Sequence, residues 1–176
     1  MSAESAGEGP DLGTLFETHF DYLWNSLRRL GVRDPDLEDL VHDVFLKVHQ
    51  HRREYDTSRP FRPWLFGFAY RVAADYRRLA RHRVEVLGSH AEPADPGEAP
   101  DSRVEAAQAE RVLRTALDSL DLPKRAVFVL HDIEGQAAPQ IAETLSIPLN
   151  TVYSRLRAGR SELQASLRRL RAREEA

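Results

Sequence analysis

The chain has 176 residues, 41% hydrophobic and 30% charged, and no run approaches the roughly 18 unbroken apolar residues of a membrane span. It contains no cysteine, which excludes a disulfide scaffold, a thiol nucleophile and cysteine-ligated zinc, and suits a cytoplasmic protein, as does an N-terminus (MSAESAGEGPD) unlike a signal peptide. The formal net charge of -3 hides a segregation: -6 over residues 1–50, +6 over 51–83, -6 over 84–110, -1 over 111–150 and +4 over 151–176. Two basic blocks in an acidic chain suggest two polyanion contacts, and 23 of the 25 basic residues are arginine, which suits phosphate and base recognition.

Residues 1–10 read as a disordered N-terminus. Leu12, Leu15, Phe16, Leu23, Leu27 and Leu30 then recur at helical spacing and stop at Gly31, a C-terminal cap. Asp34-Pro35 opens a second helix as N-cap and first helical residue, with Leu37, Val41, Val44 and Val48 as its buried stripe. At 100° per residue, Asp36, Asp39, Asp43 and Leu46 fall on the opposite face. An apolar residue within an acidic face suggests a protein interface; a solvated face with one stray leucine is the alternative.

A third helix starts near Pro60, with Phe61, Trp64, Leu65, Phe68, Val72, Tyr76 and Leu79 turned inward. The wheel places Phe66, Tyr70, Arg77 and Arg81 outward. Aromatic rings interleaved with arginines suit unstacked bases, the rings stacking and the guanidinium groups holding phosphates. The alternative is that Phe66 packs on a neighbouring helix.

Val84–Asp101 carries three Pro, two Gly, five acidic residues and no aromatic, and reads as a flexible linker. It divides the chain into domains at 11–83 and 102–173. Beyond it, Ser102 caps a helix through Leu113, Leu117 and Leu120, and Pro123 opens a short helix closed by Gly135. From Pro139 to Leu156 the spacing is that of a helix-turn-helix: Ile141, Ala142 and Leu145 inward, a Ser146-Ile147-Pro148 turn, then Thr151 capping a helix packed through Val152 and Leu156. A plain helical hairpin is the alternative. Tyr153, Ser154 and Arg157 point outward where a recognition helix meets base edges, while Arg155 and Arg160 flank the packing stripe, toward phosphates. The fold class is therefore all-α, two small helical domains joined by a linker.

No catalytic motif is present. The chain lacks a Gly-rich phosphate loop, G-x-S-x-G and H-E-x-x-H, and His42 and His49 have no carboxylate set at zinc-ligand spacing; no enzyme activity, cofactor or metal is expected.

With those residues in place, the chain resembles the extracytoplasmic-function sigma factors of the sigma-70 family, from about Leu12 to Arg169. Asp36-Leu-Glu-Asp-Leu-Val-His-Asp-Val-Phe-Leu-Lys-Val is similar to the family's core-polymerase-binding helix. Tyr55-Asp-Thr-Ser-Arg-Pro-Phe-Arg-Pro-Trp-Leu-Phe and Ala73-Ala-Asp-Tyr-Arg-Arg resemble its promoter-melting segment. Leu120-Asp-Leu-Pro-Lys-Arg-Ala-Val-Phe, Glu134-Gly and Thr151-Val-Tyr-Ser-Arg-Leu resemble its upstream-element-reading domain.

The resemblance implies a bacterial initiation factor that binds core RNA polymerase and helps to melt the minus-ten element. It implies polymerase contacts at Asp36, Asp39, Leu40, Asp43 and Leu46. Minus-ten contacts would come from Tyr55, Arg59, Phe61, Arg62, Phe66, Tyr70, Arg71, Arg77, Arg78 and Arg81. Minus-thirty-five contacts would come from Thr151, Tyr153, Ser154, Arg155, Arg157, Ala158 and Arg160. Core RNA polymerase and promoter DNA are the implied partners, an anti-sigma factor a further candidate. Arg71 stands where the family commonly has Asn, Tyr153 where Lys or Arg is usual, and Ala158 replaces a frequent Arg, which bears on the promoter sequence read. Ser146 occupies the usual turn glycine, at a cost of up to ~1 kcal/mol if that position needs positive φ. The alternative function is a stand-alone helix-turn-helix regulator of duplex DNA; a protein-binding regulator of a sigma factor is disfavoured by the two basic faces.

Overall fold

The computed structural model describes residues 12–87 and 101–174. Every regular element among them is helical. The first unit comprises α1 (Leu12–Arg29), a 3₁₀ turn at Asp34–Asp36, α2 (Leu37–Gln50), a 3₁₀ turn at Arg52–Glu54, and α3 (Phe61–Leu87). The second comprises α4 (Asp101–Leu117), α5 (Leu122–Phe128), a π-helical turn at Val129–Ile133, α6 (Ala138–Leu145) and α7 (Leu149–Glu174). The proposed N-terminal disorder and most of the proposed linker lie outside the described residues. At the linker's edges, α3 continues through Leu87 and α4 begins at Asp101, so helix extends further than the sequence boundaries allow.

The stops follow from backbone chemistry. After α1, Gly31 sits at φ 97°; its N–H donates to Arg28 O, and Val32 N–H donates to Leu27 O. This is a Schellman closure, with glycine where a side chain would meet its own carbonyl. The same pair of bonds ends α6, Ser146 N–H to Glu143 O and Ile147 N–H to Ala142 O. Here a serine at φ 53° occupies the left-handed position, which meets the condition under which the sequence reading attached a cost to it.

The starts differ more. Asp34-Pro35 forms the 3₁₀ turn, and α2 proper begins three residues later at Leu37. Thr151 is not a cap: α7 begins at Leu149, and the Pro148 carbonyl accepts from both Thr151 and Val152 N–H. Asp121 caps α5 by accepting the Lys124 N–H at 2.9 Å.

One buried cluster joins the two units. It runs from Leu23, Leu27, Val41, Val44, Leu65 and Phe66 through Val127, Leu130, Ile141 and Val152. A second, smaller core of Ala116, Leu117, Leu120, Phe128 and Leu163 holds α4, α5 and α7 together. Within the first unit α1, α2 and α3 pack on one another, and α6 of the second unit lies against α3. Leu79 departs from its expected inward position and is 57% exposed. It falls in the C-terminal part of α3, where Arg78, Ala80, Arg81 and His82 are exposed as well.

Candidate nucleic-acid and protein interfaces

Three surfaces gather the residues singled out by sequence. On α2, Leu37, Val41, Val44 and Val48 are buried, which turns Asp39, Asp43 and Leu46 to solvent. Leu46 is 60% exposed, more than any other large hydrophobic residue among the described ones. Asp36 and Leu40 belong less to this face. Asp36 accepts from the Tyr76 hydroxyl at 2.6 Å and from Arg33, and Leu40 is half-buried against the core.

The second surface is the loop before α3 and α3 itself. Asp56 accepts from Ser58 N–H and Oγ, closing the loop into a turn, and these two bonds hold its carboxyl below the usual range. The Tyr55 hydroxyl donates to Arg59 O at 2.6 Å. Its ring meets Phe61 edge-on at 5.3 Å and Trp64 at 4.9 Å, so a half-buried aromatic cluster roots the loop on the helix. Arg62 projects over the Tyr22 ring and Arg71 over the Phe68 ring, with guanidinium carbons 5.1 and 5.0 Å from the centroids. Arg59, Arg62, Arg71, Arg78 and Arg81 are all exposed, Arg78 alongside Asp75 at 3.1 Å.

Three of the four outward assignments on α3 depart from the wheel. Phe66 is fully buried, not outward, and Tyr70 is half-buried. Arg77 turns back to donate to Leu30 O at 3.2 Å. The wheel treated α3 as covered on one side only, whereas it also carries a contact with α6: a Cβ at Gly67 would sit 3.4 Å from Thr144 O.

The third surface is α7. Val152, Leu156, Gly159 and Leu163 are buried, and Tyr153 (51% exposed), Ser154 and Arg157 face solvent. Arg157 makes no ion pair among the described residues, which leaves its guanidinium available. The Ser154 hydroxyl donates to Thr151 O. Thr151, Arg155 and Ala158 are half-buried at the flank. Arg160 is already engaged: it reaches both carboxylate oxygens of Asp132 at 2.8 and 2.5 Å, and this partner holds the Asp132 carboxyl below its ordinary range. The π-helical turn presents Asp132 to this arginine.

Sequence reasoning missed the residues between the units. Glu134, just after that turn, accepts from the Tyr22 hydroxyl of α1 at 2.9 Å. Burial pushes its carboxyl above the ordinary range. Arg125 is completely buried, donating to Arg29 O and, at 2.7 Å, to Asp118. In the sequence both look like ordinary surface charges, and no local signal marks them.

Among the described residues, no group of three or more His, Asp or Glu side chains could hold a metal ion, and no helix is long and apolar enough to cross a membrane.

Comparison with known proteins converges on one family. Residues 15–83 match the family model for Sigma-70 region 2, and residues 110–163 match that for Sigma-70, region 4. The ECF RNA polymerase sigma factor SigL of Mycobacterium tuberculosis is 33% identical over 171 residues, covering 97% of this chain and 96% of SigL. A solved structure of CnrH in complex with the cytosolic domain of CnrY is 27% identical, with a TM-score of 0.62 over 89% of this chain and 86% of that one. The fold is shared as well with the sigma factor RpoE of Bartonella quintana, bound to the anti-sigma factor NepR, at a TM-score of 0.67 and 20% identity over 91% of this chain and 98% of that one. With an exposed leucine set among acids on α2, an arginine-lined α3 and a helix-turn-helix in the family's order, the chain belongs to the ECF sigma factors of the sigma-70 family, which direct RNA polymerase to promoters.

Proposed function

We propose that the two units divide promoter recognition, 11–83 serving the core enzyme and the minus-ten element and 102–173 the minus-thirty-five element. The observation that carries this division is the contrast between surfaces. The α2 face is acidic around an open leucine, whereas α3 and α7 present arginines. Asp39, Asp43 and Leu46 form the polymerase-docking face, the acids steering and the leucine anchoring; Asp36 and Leu40 support its backbone. On the minus-ten side, the Tyr55–Phe61 loop and Tyr70 meet unpaired bases, while Arg59, Arg62, Arg71, Arg78 and Arg81 hold the strand by its phosphates. Phe66 and Arg77 take structural roles, one in the core and the other on the end of α1. On α7, Arg157 and Tyr153 read base edges, Ser154 and Arg155 meet the backbone, and Thr151, Ala158 and Arg160 shape and brace the helix.

The chain performs no nucleotide chemistry in this reading; the polymerase does. It acts in the cytoplasm, where the promoter is. CnrH is known in complex with the cytosolic domain of CnrY and RpoE with the anti-sigma factor NepR, which supports an anti-sigma factor as a further partner of this chain.

The test separates melting from docking. Tyr70→Ala with Arg71→Ala should slow promoter opening, read from the reactivity of unpaired thymines, with holoenzyme assembly unchanged. Loss of one stacked base is worth roughly 1–3 kcal/mol, or about 5- to 150-fold. A template with a pre-melted bubble should restore most of the activity; absence of rescue would remove α3 from the melting step.

A further inference from the structure

The first turn of α7 carries two side chains that the fold itself does not use. Leu149, its first residue, is 39% exposed, and Asn150 beside it is exposed and makes no hydrogen bond among the described residues. Asn150 does not cap the helix. The Pro148 carbonyl starts α7 by accepting from Thr151 and Val152 N–H, so the Asn150 amide keeps both its donor and its acceptor groups. Asparagine is among the weaker helix formers, and an apolar side chain left in water forgoes burial. Stability therefore explains neither residue.

Both belong to one outward row. Leu149, Tyr153 and Arg157 stand four residues apart, so each step turns about 40° further from the buried stripe of Val152, Leu156 and Leu163. Asn150 lies almost in line with Arg157, about 10 Å away along the helix axis. Arg160 falls on the same side but is held by Asp132, which leaves Arg157 as the open cation of the row among the described residues. From Leu149 to Ser161 no exposed side chain is a carboxylate, which suits a polyanion. The row is continuous with the surface assigned above to the minus-thirty-five element.

The chemistry changes along this row. In the major groove thymine presents a C5-methyl group, which takes apolar contact. Adenine presents an N7 acceptor and an N6 donor, a pair that an asparagine amide meets with two bonds. Guanine presents two acceptors, which suit arginine. The first turn matches A·T pairs, and the cation two turns later matches guanine.

We propose that the first turn of α7 selects A·T pairs in the upstream element. Leu149 and Tyr153 pack on thymine methyl groups and Asn150 pairs with an adenine, while Arg157 takes guanine. This rests on the reading of α7 as the recognition helix, and adds Leu149 and Asn150 as specificity-determining residues. With Asn150 and Arg157 about 10 Å apart, the adenine lies roughly three base pairs from the guanine, at about 3.4 Å per step.

Holoenzyme assembled from the full-length chain and core polymerase first selects its preferred upstream element from a randomised duplex pool. In that duplex each thymine is then replaced in turn by deoxyuridine, which lacks only the methyl, and each adenine by 7-deazaadenine, which lacks the N7 acceptor. Wild-type holoenzyme should lose about fourfold in affinity at one or two thymines, the worth of one buried methyl-sized group. Leu149→Ala and Tyr153→Ala should each bind the thymine and deoxyuridine forms equally at the thymine that residue contacts. Wild type should prefer adenine by roughly 5- to 150-fold at one position, where Asn150→Ala should lose the preference and become indifferent to 7-deazaadenine. Arg157→Ala should flatten the guanine preference and keep the other two sensitivities.

The deoxyuridine comparison needs no variant, so it decides even where a substitution disturbs the helix. A selected element with no specified A·T pair overturns the proposal. So does equal binding of wild-type holoenzyme to every deoxyuridine and 7-deazaadenine duplex, or sensitivity that survives in folded Leu149→Ala, Tyr153→Ala and Asn150→Ala chains. Where Arg157→Ala still flattens a guanine position in those cases, α7 remains the reading helix and the A·T assignment alone fails. Where no α7 substitution changes upstream preference, the recognition-helix reading fails and the A·T assignment with it.

Discussion

Replacing Leu46 by alanine removes the one apolar anchor of the α2 acidic face while leaving the helix a strong former. Full burial of a leucine side chain is worth about 1.5–3 kcal/mol relative to full exposure. Leu46 is 60% exposed in the free chain, so docking can still gain about 1–2 kcal/mol from it. Leu46→Ala should therefore weaken binding to core polymerase by about 5- to 30-fold. Because this side chain adds little to the core, unfolding free energy should move by no more than about 0.5 kcal/mol. The assay is a fluorescence titration of labelled chain with core enzyme, run beside thermal unfolding of both proteins. Asp39→Arg in the same titration should lower the association rate more than it raises dissociation, with the difference shrinking at high salt. Unchanged affinity for Leu46→Ala would refute the docking face. A marked loss of stability would instead mean that Leu46 packs where the structure shows solvent.

Three further outcomes follow from named contacts. Arg157→Ala should cost ~1–3 kcal/mol on the preferred upstream element and flatten preference at one base position, while Arg155→Ala should weaken all sequences alike and lower the salt slope by about one unit; holoenzyme binding to single-base variants at several salt concentrations reads both. Ser146→Gly relieves a left-handed serine whose side chain makes no hydrogen bond among the described residues, and should stabilise the chain by roughly 0.5–1 kcal/mol, raising Tm by about 1–4 °C; no change would mean the serine is unstrained there. Burial raises the Glu134 carboxyl, opposed by its hydrogen bond from Tyr22, by Arg29 of α1 and Arg62 of α3, and by Gln136. The folded chain then holds its proton more tightly than the unfolded one. The stability this group contributes is thus present below the ordinary glutamate range and is lost as pH rises through the raised value; Glu134→Gln should flatten this dependence in thermal unfolding followed across pH.

Much of this structure could be read from the sequence because helix packing repeats every 3.6 residues. The α2 stripe, the outward Leu46, the α7 stripe and the turn at Ser146 all follow from local spacing, whereas the positive φ of that serine is supplied by the structure. Phe66 and Arg125 did not, for a common reason. Each is buried by a helix distant in sequence, and a helical wheel sees only the residue's own helix. A guanidinium group signals solvent or phosphate to any local reading, yet Arg125 is wholly buried because the Arg29 carbonyl, the Asp118 carboxylate and the space beside Gly31 prepare a polar recess for it. Thr151 failed differently. Its hydroxyl suits a cap, but the carbonyl of Pro148 had already begun the helix. Arg160 looked free for phosphate, and only the π-helical turn brings Asp132 to it.

This chain gives core polymerase its promoter choice, and initiation itself is the property to measure. Purified chain and bacterial core polymerase should be incubated together and separately with a template pool randomised upstream of a fixed transcribed region, and the transcribed templates sequenced. Transcripts should appear only when both proteins are present, enriched for one upstream and one downstream element, with the upstream preference relaxed by Arg157→Ala and yield reduced by Leu46→Ala. Selection of the same duplex sequences by the chain alone, with no initiation on adding core polymerase, would contradict it and leave a stand-alone DNA-binding regulator.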